Sequence, residues 1–236
     1  MDYRILGSLE VTDGRRRIGL GGEKQRALLA VLLLHAGEVV SADRLIDDLW
    51  GERAPTAAHN ALQTHVSRLR KALDGPAAGH PQHDEARSEA PWGGVLVTRG
   101  HGYVLRVEPG ELDLDRFRAM VEDGREALAR GDPLRATESL GAGLALWRGP
   151  PLADFLYQPF AEGPIAELEE LRLSAVQDRI EADLAIARHE QLIGELTTLV
   201  AQNPLRERLR GQLMLALYRC GRQPEALDVY LSLIHI

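Results

Sequence analysis

Between positions 56 and 73 the chain carries Arg68, Arg70 and Lys71 and no Asp or Glu, a local positive charge suited to a polyanion rather than to bulk water. At about 100° per residue, Leu62, Val66, Leu69 and Leu73 follow the i, i+4, i+7, i+11 rule of a core-facing stripe. Asn60, Thr64, Ser67 and Lys71 fall on the opposite side, flanked by Gln63 and Arg68. The chemistry predicted is non-covalent: a helix held by its apolar side presents hydrogen-bonding and cationic groups to a nucleic acid groove. A second element, Val95-Leu-Val-Thr-Arg-Gly-His-Gly-Tyr-Val-Leu-Arg-Val107, reads as a β-hairpin that sets Thr98 and Arg99 near a tight turn.

A groove helix followed by a basic hairpin predicts a winged-helix DNA-binding domain, and the preceding residues supply its scaffold. Short apolar runs at 3–6 and 9–12, broken by Gly7-Ser8 and Asp13-Gly14, predict a small antiparallel sheet. Residues 22–35 carry Ala27, Leu28, Val31, Leu32 and Leu34 at helical spacing and stop at Gly37. Ser41 is the expected cap of a second helix that points Leu45, Ile46, Leu49 and Trp50 inward and ends at Gly51. A loop through Pro55 then leads to Thr56, the expected cap of the groove helix. The Pro/Gly-rich stretch 75–94 has little to bury and is expected to be a mobile link. His80 and His83 within it lack partners at ligand spacing, so no metal is expected.

With 236 residues, the chain is long enough for two domains. Residues 1–107 hold 14 Lys+Arg against 13 Asp+Glu, whereas residues 108–236 hold 14 against 22. The acidity that gives a net charge of −7 therefore belongs to the second half. The single cysteine, Cys220, excludes an internal disulfide and fits a reducing compartment. No signal-peptide core and no run of the roughly 20 apolar residues needed for a membrane span is visible, so a cytoplasmic, nucleoid-associated protein is expected.

From Leu112 onward the pattern is nearly continuous helix with an internal repeat. Gly131, Ala136 and Leu140 have spacings of five and four, which recur at Ala187, Leu192, Leu196 and at Gly221, Ala226, Tyr230. The last two sets are 34 residues apart, the tetratricopeptide period. The first unit lies 56 residues before the second, leaving room for an insertion around the turn at 147–155. The fold class expected is an α+β winged-helix domain (1–107) followed by an all-α tetratricopeptide-like helical repeat domain (108–236). Such arrays are usually protein-contact surfaces. An alternative function is a repeat-based interaction scaffold with a degenerate winged helix.

Enzymatic activity is not expected. Gly19-Leu-Gly-Gly-Glu-Lys24 lacks the GxxxxGK[ST] spacing of a phosphate loop, and Cys220 has no His/Asp constellation around it. No cofactor is expected.

Several stretches carry a family resemblance: Leu20-Gly-Gly-Glu-Lys-Gln-Arg-Ala-Leu-Leu-Ala, Val40-Ser-Ala-Asp-Arg-Leu-Ile-Asp-Asp-Leu-Trp-Gly51, Asn60-Ala-Leu-Gln-Thr-His-Val-Ser-Arg-Leu-Arg70 and Thr98-Arg-Gly-His-Gly-Tyr103. They resemble the OmpR-type winged helix. Leu112-Asp-Leu-Asp-Arg-Phe117, Ala145-Leu-Trp-Arg-Gly-Pro-Pro-Leu-Ala-Asp154, Arg179-Ile-Glu-Ala-Asp-Leu184 and the run from Pro204 to Arg219 resemble the bacterial transcriptional activation domain. Together they resemble the Streptomyces antibiotic regulatory protein family over nearly the whole chain. The resemblance implies an activator of a secondary-metabolite gene cluster that binds direct repeats in double-stranded DNA beside a second protomer and recruits RNA polymerase holoenzyme. It implies that Thr64 and Arg68 read bases, that Asn60, His65 and Arg70 face phosphates, and that Arg99 enters the minor groove. It also implies that Gly51, Glu52, Arg53, Ala54 and Pro55 meet the polymerase. Geometry agrees for two of these: a Thr methyl can pack on a thymine methyl, and Arg can bond guanine O6 and N7. His65 lies toward the apolar arc, which leaves both a phosphate contact and a partly buried ring open.

The family pattern departs in two places. The stretch 75–94 is longer than the usual helix-to-wing link. After Tyr230 a further basic helix is replaced by Leu231-Ser-Leu-Ile-His-Ile236, which CTG TCT CTT ATA CAC ATC encodes. That string is a transposon mosaic end used in sequencing libraries, and the natural chain is expected to continue differently beyond Tyr230.

Overall fold

The computed structural model describes residues 1–74 and 94–234, with side chains as far as Leu231. The expectations for residues 75–93 of the link, for His80 and His83 and for the end of the 231–236 hexapeptide concern residues outside these limits. The chain forms two compact units, Met1–Arg116 with Trp147–Glu169, and Phe117–Leu146 with Glu170–Ile236.

In the first unit, β1 (Asp2–Arg4), β2 (Glu10–Asp13) and β3 (Arg16–Arg17) form an antiparallel sheet in that order. The strand expected over 3–6 stops at Arg4 because the next backbone groups bond elsewhere. Asp113 accepts the N–H of Ile5 at 2.9 Å and that of Leu6 at 3.0 Å. The carbonyls of Ile5 and Leu6 accept from the N–H groups of Leu152 and Arg148. Asp154 takes the N–H of Leu9 and pairs with Arg26 at 2.7 Å. Residues 113 and 147–155 thus complete the hydrogen bonding of residues 5–9. The compact units accordingly cut the chain differently from the 107/108 boundary that composition suggests. Burial raises the pKa of Asp113, while the two backbone N–H groups and Arg148 act against that rise.

Three helices form the unit's core. In α1 (Glu23–Leu34) every residue from Ala27 to Leu33 is buried, as expected of a helix apolar on all sides. Ser41 caps α2 (Ala42–Trp50) by accepting the Arg44 N–H at 3.2 Å, and Gly51 ends the helix at φ +52°. A 3-10 turn (Gly51–Arg53) leads toward α3 (Ala58–Leu73). The cap position of α3 is Ala57, with no side-chain cap, rather than the expected Thr56. Leu62, Val66, Leu69 and Leu73 are all buried against α1 and α2, each contributing about 1.5–3 kcal/mol of apolar burial. The wing follows as β5 (Leu96–Arg99) and β6 (Gly102–Leu105), joined by β4 (Val40–Ser41) in the order β4-β6-β5. Gly100 at φ +55° supplies the first central residue of the two-residue turn.

The second unit is a series of helix hairpins built from α4 (Asp113–Ala129) and α5 (Pro133–Leu144), α6 (Pro159–Ala185) and α7 (His189–Gln202), and α8 (Glu207–Arg219) and α9 (Gln223–Ile234). The first turns of α4 and α6 lie in the other unit. The repeat positions Gly131, Ala187 and Gly221 are left-handed, at φ +75°, +62° and +76°. At each turn the next residue's N–H bonds a carbonyl five positions back, as in Asp132 to Ala127, Arg188 to Asp183 and Arg222 to Leu217. These are three copies of one Schellman closure. Ala136, Leu140, Leu192, Leu196 and Ala226 are buried, while Tyr230 is exposed. Close packing of α4 on α5 depends on Gly124, where a Cβ would lie 2.5 Å from Leu140 Cγ.

Candidate nucleic-acid interface

The apolar stripe of α3 fixes which side chains face outward. Asn60, Gln63, Thr64, Ser67, Arg68 and Lys71 are all exposed, as are Thr98 and Arg99 on the wing. Among the described residues, Arg68, Lys71 and Arg99 have no acidic ion-pair partner. Thr64 donates its hydroxyl proton to the Asn60 carbonyl at 2.9 Å. That bond ties the hydroxyl to the backbone and makes the methyl the distinctive group Thr64 can offer a base.

Arg70 and His65 differ from their outward neighbours. Arg70 is partly buried and turned to the wing: Nε donates to the Leu96 carbonyl at 2.8 Å and Nη2 to Thr98 Oγ1 at 2.7 Å. The resemblance implies a phosphate contact here, whereas this guanidinium is already engaged by protein. His65 packs beside Trp50, with ring centroids 6.0 Å apart, and its Nδ1 is buried without a hydrogen-bond partner among the described residues. Burial lowers its pKa, and the nearby charges of Arg68 and Lys24 act in the same direction. Of the two possibilities left by sequence, the geometry matches the partly buried ring.

Between α3, the start of α2 and the wing lies a notch of about 290 Å³ lined by residues including Ala42, Asp43, His59, Gln63, His101 and Gly102. His59 Nε2 lies 3.2 Å from Asp43 Oδ1. Sequence reasoning passed over both histidines. His59 could have been found one helical turn before Gln63, and His101 in the centre of the hairpin turn. Gly102 allows the wing to meet β4, since a Cβ there would lie 2.4 Å from the Val40 carbonyl oxygen. Residues 51–55 are exposed throughout, on the 3-10 turn and the extended residues after it. Among the described residues no cluster of three or more His, Cys, Asp or Glu could hold a metal ion, and no helix is long and apolar enough to cross a membrane.

Residues 17–83 match the family described as transcriptional regulatory protein, C terminal, and residues 112–236 match the bacterial transcriptional activator domain. The regulatory protein AfsR of Streptomyces coelicolor is 40% identical over 229 residues, covering 97% of this chain and 21% of AfsR. The transcriptional regulator RedD of the same species is 40% identical over 98% of this chain and 63% of its own length. The chain therefore spans between a fifth and just under two thirds of these two relatives. The regulatory protein DnrI of Streptomyces peucetius is 34% identical over 99% of this chain and 83% of DnrI. A solved structure of Mycobacterium tuberculosis EmbR, in complex with a low-affinity phosphopeptide, superposes with a TM-score of 0.88 at 34% identity, covering 98% of this chain and 58% of that one. With both family domains in tandem and a relative matched along most of its length, the chain belongs to the Streptomyces antibiotic regulatory protein family of transcriptional regulators.

Proposed function

We propose that this chain is a sequence-specific DNA-binding transcriptional activator of a secondary-metabolite gene cluster, with α3 in the major groove and the wing beside it. Thr64 and Arg68 read base edges, and Asn60, Gln63, Ser67 and Lys71 border them on the exposed face. Arg99 reaches the adjacent minor groove, with Thr98 next to it on β5. The observation that carries this reading is the fully exposed polar face of α3, on which neither Arg68 nor Lys71 is neutralised by an acidic partner among the described residues. Protomers bind direct repeats head to tail, and RNA polymerase holoenzyme meets the exposed residues 51–55. The reading places the protein in the cytoplasm on the nucleoid and needs no cofactor.

Footprinting of the promoter nearest the gene, followed by gel-shift titration of the protected duplex, tests this. Arg68→Ala is expected to cost about 1–3 kcal/mol and to relax specificity at one base step. Lys71→Ala should weaken all sequences alike and reduce the magnitude of the slope of log K against log salt by about 0.9. Unchanged affinity in both Arg68→Ala and Arg99→Ala would favour the interaction-scaffold alternative.

A further inference from the structure

We propose that Arg70 serves the interface as a positioning residue, bracing the wing against α3 rather than neutralising a phosphate. The inference rests on the DNA-binding reading for its consequence and on protein geometry for its cause. In the order β4-β6-β5, strand β5 is an edge, so alternate backbone groups along it face away from the sheet. The Val95 carbonyl bonds across the hairpin to the Arg106 N–H at 2.8 Å, and by alternation the Leu96 carbonyl points off the open edge. Arg70 Nε meets that carbonyl, and Nη2 meets the Thr98 hydroxyl on the same strand. One planar fork thus grips a backbone carbonyl and a side-chain hydroxyl two residues apart on β5, a geometry an ammonium cannot reproduce. The strand so held is the one that ends in Arg99. Arg70 belongs to α3, on which Val66 and Leu69 are buried in the core, so the brace fixes the wing relative to the groove helix. Arg99 can then reach DNA only at the offset that Arg70 sets.

The discriminating substitution is Arg70→Lys, which keeps the charge and removes the fork. On the full chain without DNA, hydrogen exchange should accelerate about tenfold or more at the amides of β5 and β6, as expected when one brace on a marginal hairpin is lost. With DNA, Arg70→Lys should weaken binding nearly as much as Arg70→Ala. Arg99→Ala should cost about tenfold in the native background and under about threefold beside Arg70→Lys, the non-additivity of residues that act as a unit. Native wing exchange together with native affinity in Arg70→Lys would overturn the proposal and return Arg70 to a phosphate. If the native chain bound no duplex, the DNA-binding reading would fall, and the exchange experiment would still decide whether the brace exists.

Discussion

Arg68 of α3 and the arginines around the buried aspartates of the second unit sit in opposite surroundings. On α3, Arg68 is exposed and lacks an acidic partner among the described residues. In the second unit, Asp178 is gripped by Arg125 and Arg208, both at 2.7 Å, and Asp183 by Arg179 at 2.7 Å and Arg188 at 3.0 Å. Both aspartates are buried. Residues 1–107 and 108–236 have equal counts of Lys+Arg, so the number of cations does not separate them. What separates Arg68 from Arg125, Arg179, Arg188 and Arg208 is the buried acid that each of those four meets. A guanidinium spent on a buried carboxylate holds helices together, and one left facing water remains free for a polyanion.

The largest expected effect comes from removing a buried acid of the first unit. Asp113→Ala leaves the Ile5 and Leu6 amides without their acceptor, and urea denaturation should show a loss of about 3 kcal/mol. Asp183→Ala should cost about 2 kcal/mol in the same measurement, because the largely buried Arg179 keeps only its pair with Glu195 while the more exposed Arg188 recovers hydration. Arg68→Ala is the counterpart and should leave stability within about 0.5 kcal/mol of native, so a substantial destabilisation there would erase the distinction between the two regions. Among the closures of the repeats, Ala187→Gly should stabilise by about 0.5 kcal/mol, since relief of the left-handed strain is partly offset by a freer unfolded chain.

The smallest effect concerns acid. The folded pKa of His65 lies below the ordinary 6.5, first because burial penalises the imidazolium and then because Arg68 and Lys24 repel it. The unfolded chain therefore binds this proton more readily. The associated stability is complete above about pH 6.5 and declines as pH falls from there toward the folded pKa. His65→Phe should flatten that part of a denaturation-versus-pH profile, and an unchanged slope would show that the ring is solvated after all.

Local periodicity made much of this legible. The stripe through Leu62, Val66, Leu69 and Leu73 predicted both the burial of α3 and the outward face of Arg68. The 34-residue recurrence marked Ala187 and Gly221, which share a handedness that a Cβ normally discourages. Illegible were the features made by distant pairs. The family resemblance alone assigns Arg70 a phosphate contact, and its bonds to Leu96 and Thr98 join residues 26 and 28 positions apart. Asp113 looks like part of an activation-domain motif, yet its oxygens take amides 107 and 108 positions away. No pattern confined to one element could show either contact. Thr56 misses the cap for a smaller reason, since a turn through residues 56 and 57 starts α3 at Ala58, one position later than a Thr56 cap requires.

The return of residues 147–155 to finish the bonding of residues 5–9 limits how the molecule can be dismantled. A recombinant piece cut at residue 107 would carry α3 and the wing whole but leave the backbone of its first loop unsealed. Shuffling that piece onto other proteins as a portable cassette would require taking the tryptophan-arginine turn along with it. In this chain the same bonds tie residues matched to the activator family into the compact unit that holds α3 and the wing.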